Sequence, residues 1–509
     1  MRLTKRVFPV ALCMVAVAAA HAASRPNILF LLTDDQREGT LSIEGHPVIK
    51  TPNLDRLATD GVRFSNAYIS NPICMPSRVS FLSGVYERVH GVGFSSRHEL
   101  SMEQWNQTYP QILRRNGYYT GFIGKLGVDK YPFKNGRGGE TFDFWCAHDG
   151  WAAFYPKGLK NCSAYKDLKA DIVTPMMGEA FENFLKQRDD DKPFCLSVSF
   201  SAPHGSISGS MVPGESGKTR MTHPANETKR LAGHPIYGDL YRDIAIELPE
   251  ETGQDAGKFI PTELMKQDGR KNTYSFSYDR KTSLEQHYRY YQLITGIDHV
   301  VGQMLDGLEK RGLLENTIII YSSDHGLLMG EYGMGGKALA YDLTAKVPFI
   351  LYDPSLPKER RGAVLDAFVM NVDVAPTILA YAGLPEPKIC QGRNLIPLLK
   401  NPAMPWRDAV FVENLFVGRD NPFVEAVRFK KWKYVRYFDH AGGWNYNDNQ
   451  VDFGNKEPVF EQLFDLEADP QERNNLVESG AAPETLEMLR KRCRAESKAQ
   501  IQLRNTVRK

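Results

Sequence analysis

The stretch that decides the fold class is "RPNILFLLTDD", residues 25–35, an apolar run that ends in two adjacent carboxylates. A short continuous apolar run predicts a strand buried on both faces, as in a parallel or mixed sheet. In such sheets the residues just beyond the carboxyl ends of the strands form the ligand site. The sequence therefore predicts that Asp34 and Asp35 lie at the edge where chemistry takes place.

Four later segments share this pattern, because each is an apolar run that ends in residues capable of chemistry. They are "YYTGFIGK" (118–125), "FCLSVSFSAPH" (194–204), "TIIIYSSDHG" (317–326) and "VPFILYDP" (347–354). Segments with helical features alternate with them, at 51–61, 108–117, 172–187, 283–312 and 372–383. Alternating strands and helices predict a layered α/β domain.

The pattern changes after about residue 385, where short strand-like segments replace the alternation. These segments are 409–414, 423–438 with a turn at its centre, and 461–470, and a helical segment follows at 483–499. They predict a small antiparallel sheet with a terminal helix. We therefore expect a catalytic α/β domain over 24–385 and a C-terminal subdomain over 386–509.

The N-terminus has the features of a cleavable secretory signal over residues 1–23: a basic start, a short apolar run, and Ala20 and Ala22 in an A-x-A arrangement. Its removal takes away three bases and no acids, so the formal charge falls from +2 to −1. A near-neutral chain argues against a nucleic-acid partner. No second apolar stretch is long enough to span a membrane, so we expect a periplasmic or secreted protein.

The segment "PICMPSRVSFLSG", residues 72–84, predicts a short helix that begins near Cys74 and stops at Gly84. Free N–H groups and the positive end of the helix dipole favour an anion there. Arg78, one turn later, adds a bidentate donor on the same side. The sequence thus predicts an anion site that contains a sulfur atom.

This segment resembles the signature of the type I formylglycine-dependent sulfatases, which belong to the alkaline phosphatase superfamily. The matching residues are Cys74, Pro76, Ser77, Arg78, Ser83 and Gly84. The resemblance implies an alkaline-phosphatase-like sandwich, with a central mixed sheet flanked by helices. It also implies that a formylglycine-generating or maturase enzyme oxidises Cys74 to formylglycine, and that one hydroxyl of the aldehyde hydrate attacks the sulfur of a sulfate monoester.

Adjacent carboxylates such as Asp34 and Asp35 repel one another unless a cation joins them. The resemblance adds Asp324 and His325, in "SSDHG", and the Cys74 position as further metal ligands. Ligands rich in oxygen favour Ca²⁺, with Mg²⁺ as the alternative. Many relatives have Asn at the position of His325, and the Asp-His pair resembles the iduronate-sulfatase-like branch.

The resemblance also assigns cations and an acid to the anion site. Lys125 in "FIGKLG" and Lys337 in "MGGKALAYD" match cationic positions, and His204 in "SAPHGS" matches the residue that protonates the leaving alcohol. An ordinary histidine pKa near 6.5 suits that role. The chain departs from the family at Gly127, where relatives have a second histidine after the lysine.

His90 and His148 are candidates for the role of that missing histidine. Without the signal and Cys74, the remaining cysteines are odd in number, so at least one has no partner within the chain. Cys146 and Cys162 are close enough in sequence to close a loop, and a chain without disulfides fits equally well.

Two irregular segments, 133–151 and 204–283, read as loops and as functional surface. Aromatic and basic side chains in 145–155 and 204–283 favour a sulfated sugar of a polysaccharide or glycoconjugate as substrate. The alternatives are a phosphonate monoester or phosphodiester hydrolase of the same superfamily, and an inactive glycan-binding relative.

Overall fold

The computed structural model describes residues 25–128, 137–211, 231, 233–265, 280–418, 421–440 and 442–507. The predicted signal over residues 1–23 and much of the segment 204–283 lie outside these ranges.

The first ten strands build one large sheet and a small hairpin. They are β1 (Asn27–Thr33), β2 (Val62–Tyr68), β3 (Tyr119–Lys125), β4 (Phe144–His148), β5 (Phe194–Ser199), β6 (Thr317–Ser323), β7 (Leu328–Met329), β8 (Gly335–Gly336), β9 (Phe349–Tyr352) and β10 (Ala363–Met370). The large sheet has the order β10-β2-β9-β6-β1-β5-β3-β4, and β7 pairs with β8. Only β9 runs antiparallel to its neighbours β2 and β6, so the sheet is mixed, as predicted.

The opening strand β1 shows why the sheet is covered on both faces. Its side chains alternate between two hydrophobic cores: Leu29 and Leu31 enter one, and Ile28 and Phe30 enter the other. Every residue of β1 is buried. A strand with apolar residues on both faces cannot lie at a solvated surface, and this requires helices on each side.

Helices supply both layers, and the predicted helical segments are confirmed. The α-helices are Pro52–Asp60, Cys74–Ser83, Glu87–His90, Met102–Asn106, Tyr109–Arg115, Val173–Gln187, Gly205–Ser208, Thr262–Met265, Arg280–Glu309, Asp342–Ala345, Val374–Tyr381, Ile396–Lys400, Leu476–Ser479 and Pro483–Val507. The helix that begins at Cys74 ends at Gly84, whose φ of 73° lies in the left-handed region that favours glycine.

One sequence-based prediction was wrong in part. The segment 133–151 was expected to be loop-like, but it contains β4, which pairs in parallel with β3 and aligns His148 with Lys125. The strand has only five residues and follows a glycine-rich stretch, so its own pattern is too short to identify it. The segment is a strand because it pairs with β3, and its own sequence does not predict this pairing.

The predicted C-terminal antiparallel sheet is present. It consists of β11 (Ala409–Asn414), β12 (Phe423–Phe429), β13 (Trp432–Phe438) and β14 (Phe460–Asp465), paired in that order. The long terminal helix packs on this sheet and buries Leu489 and Cys493. Among the described residues, no helix combines the length and the apolar character needed to cross a membrane.

A buried ion network joins this sheet to the helix Glu87–His90. Arg88 Nε lies 2.9 Å from Glu413 Oε2, and Arg88 Nη2 lies 2.6 Å from Glu425 Oε1. Arg436 Nε donates to Glu425 Oε2 at 2.8 Å, and the Ser497 hydroxyl donates to Glu425 Oε1 at 2.7 Å. We call Arg88, Glu413, Glu425, Arg436 and Ser497 the interface network.

The described cysteines are free thiols, including Cys146 and Cys162, which are both buried. The possible loop-closing disulfide is therefore not formed in this structure.

Candidate active site

The ends of neighbouring strands bring most of the predicted site residues together. Asp34 and Asp35 follow β1, Lys125 is the last residue of β3, and Asp324 and His325 follow β6. These side chains are buried. β1 and β6 are adjacent, β5 separates β1 from β3, and all four strands are parallel. Residues separated by up to about 290 positions therefore meet at one edge, for example in the hydrogen bond from the Asp35 N–H to Asp324 Oδ1 at 3.1 Å.

Cys74 is the first residue of its helix and faces this edge. Its Sγ atom lies 3.0 Å from Lys337 Nζ and 3.2 Å from His325 Nε2. The side chain is buried, with 4% of its surface exposed. The sulfur therefore stands at a helix N-terminus between two nitrogen groups, a setting that stabilises negative charge.

Arg78 connects several residues of the site by hydrogen bonds, and one of its donor nitrogens takes no part in them. Its Nε donates to Asp324 Oδ2 at 2.8 Å, and its Nη1 donates to the Lys125 carbonyl at 2.8 Å and to Ser199 Oγ at 2.5 Å. Its Nη2 lies 3.7 Å from Asp34 Oδ1. Within the described part of the chain, neither Nη2 nor that oxygen has a hydrogen-bond partner.

Two lysines complete the positive charge. Lys125 Nζ lies 2.6 Å from Asp34 Oδ2, and Lys337 Nζ lies 2.7 Å from Asp35 Oδ1. Burial would lower the pKa of each lysine, but the neighbouring carboxylates outweigh it and raise both pKa values above the ordinary one. Both side chains are therefore ammonium ions at neutral pH.

The acids respond to burial and to these cations in different ways. Burial would raise the pKa of Asp34, but Lys125, His204 and Arg78 hold it well below its usual range. Burial would likewise raise the pKa of Asp35, but Lys337, His204 and His325 together outweigh it and lower that pKa. By contrast, burial and the charge of Asp34 raise the pKa of Asp324.

His325 is set between these carboxylates. Burial would lower its pKa, but the negative charges of Asp324, Cys74 and Asp35 together outweigh this effect and raise the pKa to about 9. Its Nδ1 lies 2.9 Å from the Gly326 carbonyl, which orients Nε2 toward Asp35 Oδ1 at 3.2 Å. In the neutral ring with the proton on Nδ1, Nε2 is free to ligate a metal.

The side chains fit a divalent cation. The ligating atoms of Asp34, Asp35, Cys74 and His325 all lie within 4.8 Å of one another. Asp34 Oδ1 is buried and has no hydrogen-bond partner among the described residues, and such an atom requires a donor or an ion. Asp324 Oδ1 lies 3.5 Å from His325 Nε2 at the same edge. Its role as a further ligand stays a prediction.

His204 lies on the other side of the carboxylates, with its Nε2 3.9 Å from Asp35 Oδ2 and a quarter of its side chain exposed (25%). Its Nδ1 accepts the Ser206 amide at 3.1 Å, which places the ring proton on Nε2. Burial lowers its pKa to about 4, below the value near 6.5 expected from sequence. The ring is therefore neutral at neutral pH before substrate binds.

Gly127 stands where the family has its second histidine, and the structure leaves no room there. Its φ is +71°, and a Cβ atom would lie 2.6 Å from Arg78 Cδ. Of the candidate replacements, His148 lies beside Lys125 and has its Nδ1 2.5 Å from Tyr165 Oη and its Nε2 3.2 Å from Ser201 Oγ. His90 Nε2 lies 3.4 Å from Ser80 Oγ.

Sequence reasoning missed several residues that shape the site. Tyr290 donates its hydroxyl proton to the Asp35 carbonyl at 2.8 Å, and the Ser77 hydroxyl donates to the Asp324 carbonyl at 2.5 Å. Asp35 itself has a φ of 71°. The signature contains Ser77, whereas a tyrosine in the middle of a long helix carries no signal of this contact.

The mixed sheet between two helical layers, with a buried cluster of carboxylates and cations at its strand ends, defines a hydrolase of the alkaline-phosphatase-like fold. The chain belongs to the sulfatase family, since the family model described as Sulfatase matches residues 26–384. A second model, N-sulphoglucosamine sulphohydrolase, C-terminal, matches residues 330–462. The predicted family is confirmed, and the protein is a sulfuric ester hydrolase.

Similar proteins cover nearly the whole chain. An arylsulfatase of Clostridium perfringens is 30% identical over 506 aligned positions, and the alignment covers 92% of this chain and 93% of that protein. An N-acetylglucosamine-6-O-sulfatase of Bacteroides thetaiotaomicron is 29% identical, covering 89% and 82%. The solved structure of BT4656 with its substrate D-glucosamine-2-N,6-O-disulfate is 26% identical, with a TM-score of 0.66 and coverage of 94% and 98%.

Proposed function

We propose that this protein is an exported sulfatase that releases sulfate from a sugar of a sulfated polysaccharide or glycoconjugate. The observation that carries the proposal is the position of Cys74 Sγ, at a helix N-terminus and within 3.2 Å of both Lys337 Nζ and His325 Nε2. The relatives named for N-acetylglucosamine-6-O-sulfate and the complex with a disulfated glucosamine support the sugar substrate.

The sulfatase family implies two groups, a divalent cation and a formylglycine, and residues of this chain fit both. Asp34, Asp35, Asp324 and His325 would hold a Ca²⁺ ion, with Mg²⁺ as the alternative. Formylglycine made from Cys74 would supply the hydroxyl nucleophile, and the cation would supply Lewis-acid stabilisation of negative charge. An activating enzyme that oxidises the cysteine is then a required partner.

The chain's own cations bind the sulfate group. Lys125, Lys337 and the free Nη2 of Arg78 surround the Cys74 position with positive charge in a buried setting. In such a setting a fixed charge interacts more strongly with an anion than it does in water. These groups therefore orient the ester and stabilise the charge that develops on its oxygens.

His204 protonates the departing sugar hydroxyl. Its side chain is 25% exposed, whereas the carboxylates and lysines of the site are buried, so His204 is the residue that a substrate from solvent reaches first. Burial lowers its pKa to about 4 in the free protein. A bound sulfate ester adds negative charge beside the ring and raises this pKa, so the proton is held when a leaving group is present.

The basic and apolar segment at residues 1–23 supports export. Export also agrees with a substrate class that occurs outside the cytoplasm. The test is N-terminal sequencing of the protein recovered from the periplasm or medium. A mature N-terminus near residue 24 is expected, and retention of the full chain in the cytoplasm would contradict it.

The test of the activity is sulfate release from a panel of sulfated glycosaminoglycan, mucin-type and algal oligosaccharides, beside an aryl sulfate and an aryl phosphodiester. Turnover of one oligosaccharide class with higher kcat/KM than either aryl ester is expected. Turnover of the aryl phosphodiester alone would favour the phosphonate and phosphodiester hydrolases, and no turnover at all would favour an inactive relative. Mass spectrometry of the Cys74 peptide tests the aldehyde.

A further inference from the structure

Three aromatic rings form a continuous patch beside the active site, and none of them has a role in the chemistry described above. The Phe94 and Phe416 ring centroids lie 5.9 Å apart, and those of Phe416 and Trp444 lie 6.5 Å apart. Phe416 is buried, whereas Phe94 is 39% exposed and Trp444 is 58% exposed. We call these three residues the aromatic platform.

The inner end of the platform touches the walls of the active site. Phe416 packs against Ile73 and Ala338 in one buried hydrophobic cluster. Ile73 directly precedes Cys74, and Ala338 directly follows Lys337. The Ala338 N–H also donates to the Pro72 carbonyl at 2.8 Å, which ties the two walls together. The buried ring of the platform is therefore packed against the chain neighbours of two site residues, Cys74 and Lys337.

The platform is held in place by hydrogen bonds through one buried serine. Ser95 Oγ accepts the N–H groups of Val417 at 3.1 Å and Gly418 at 3.2 Å. The Ser95 carbonyl accepts the Tyr446 N–H at 3.0 Å. Segments that are far apart in sequence thus meet at a single residue, and each of them carries one ring of the platform.

The packing at Gly418 shows how closely two of the rings approach the backbone. A Cβ atom at this position would lie 2.4 Å from the Phe416 ring and 2.7 Å from the Trp444 ring. Glycine is therefore required for the observed position of both rings. The same close packing against Gly418 holds the Trp444 ring in its exposed position.

Exposed polar residues follow both exposed rings closely in the chain. Arg97 and His98 follow Phe94 in the chain and are exposed, and Asn445 follows Trp444 and is exposed as well. Exposed aromatic rings with guanidinium and amide groups within three residues in the chain match a sugar, whose C–H face is apolar and whose hydroxyl or sulfate groups accept hydrogen bonds. Two exposed rings offer too little area for a stable protein interface.

We propose that the aromatic platform is a carbohydrate subsite, on which Trp444 stacks against the sugar unit next to the one that carries the scissile sulfate. This inference rests on the proposed function, because it assumes a sulfated oligosaccharide or longer chain as substrate. It also moves the main determinant of substrate choice from the loops 145–155 and 204–283 to the C-terminal subdomain.

The experiment compares Trp444→Ala, Trp444→Phe and the control Met488→Ala in the full-length active enzyme. Met488 is similarly exposed (52%) but lies on the terminal helix. Steady-state kinetics are measured on a sulfated tetrasaccharide, the matching sulfated monosaccharide and an aryl sulfate. Loss of one stacked ring should raise KM for the tetrasaccharide about tenfold with little change in kcat.

The expected pattern is a loss of the tetrasaccharide's advantage over the monosaccharide in Trp444→Ala, recovery of most of it in Trp444→Phe, and no change in Met488→Ala. Equal losses on all three substrates, or no loss on the tetrasaccharide, would overturn the subsite. If the unaltered enzyme turns over the aryl sulfate but no sulfated sugar, the proposed function itself fails, and the subsite fails with it. If the enzyme prefers the tetrasaccharide and Trp444→Ala keeps that preference, only the subsite fails.

Discussion

The active site and the interface network both bury ionised side chains, but they balance charge and hydrogen bonds differently. In the interface network, Arg88 and Arg436 face Glu413 and Glu425, and both carboxylates are held by close charged partners. In the active site, Asp34 Oδ1 and Arg78 Nη2 are buried without hydrogen-bond partners among the described residues. The first cluster holds its charged atoms close together, with Arg88 Nη2 at 2.6 Å from Glu425 Oε1. In the second, Arg78 Nη2 and Asp34 Oδ1 lie 3.7 Å apart and leave space for a ligand.

The difference shows that buried charges can serve either the stability of the fold or the function of a site. A buried ion pair contributes to folding when each charge has its partner. Removal of one partner leaves the other charge buried without a counter-charge. Unpartnered buried atoms cost stability and persist where binding completes them. Changes in the active site should therefore cost activity with little loss of stability, and changes in the interface network should do the reverse.

The largest effect is expected from Cys74→Ala, which removes the atom from which the nucleophile is made. Turnover should be abolished, while the free energy of unfolding changes by only about 1 kcal/mol, since the substitution removes one small buried group. Sulfate release and urea denaturation measure the two quantities. Cys195→Ala, a buried cysteine within β5, is the matched control and should keep its kcat. Full activity with an unmodified Cys74 thiol would contradict the mechanism.

Metal removal should have the next largest effect. Chelation should lower kcat about 100-fold or more, because the carboxylate cluster then lacks the cation that stabilises charge on the ester. Added Ca²⁺ should restore the rate better than Mg²⁺, with metal content measured by elemental analysis. A stripped enzyme that keeps its full rate would mean that Asp34 and Asp35 have a purely structural role.

His204→Gln should reduce turnover of a sugar sulfate about 100-fold, a typical contribution of a general acid. A nitrophenyl sulfate should lose much less, because its leaving group departs without a proton. The measured quantity is the ratio of kcat values on the two substrates, with His299→Gln as the control on an exposed helix position. Equal losses on both substrates would assign His204 to binding.

Arg88→Met should have the smallest effect on turnover and a large effect on folding. It leaves Glu413 buried without its closest counter-charge, which should cost about 3–5 kcal/mol of unfolding free energy. Urea denaturation measures the cost, and kcat of the folded enzyme should stay within about twofold. The double variant Arg88→Met with Glu413→Leu should recover part of the loss. A drop in kcat with unchanged stability would remove the distinction between the two clusters.

The fold could be predicted where the residue pattern of a segment indicates its secondary structure and its burial. β1 is apolar on both faces, and the helix after Cys74 has a proline near its start and a glycine at its end. β2 and β10 were not predicted, because polar residues interrupt their patterns and their pairing with each other supplies the missing stability. Length and pattern identify strands that are apolar throughout well, and strands interrupted by polar residues poorly.

The sequence by itself determined the family, the layered α/β architecture and the residue types of the active site, because the signature and the strand ends are local features. Only the tertiary structure decided which charges meet: that Arg78 is mostly committed to Asp324, Lys125 and Ser199, that Tyr290 orients Asp35, and that burial moves the pKa of His204 to about 4. It also decided that Trp444 packs beside Phe416, which contacts the chain neighbours of Cys74 and Lys337. The physical reason is that electrostatic and packing energies depend on distance in space, which sequence separation does not report.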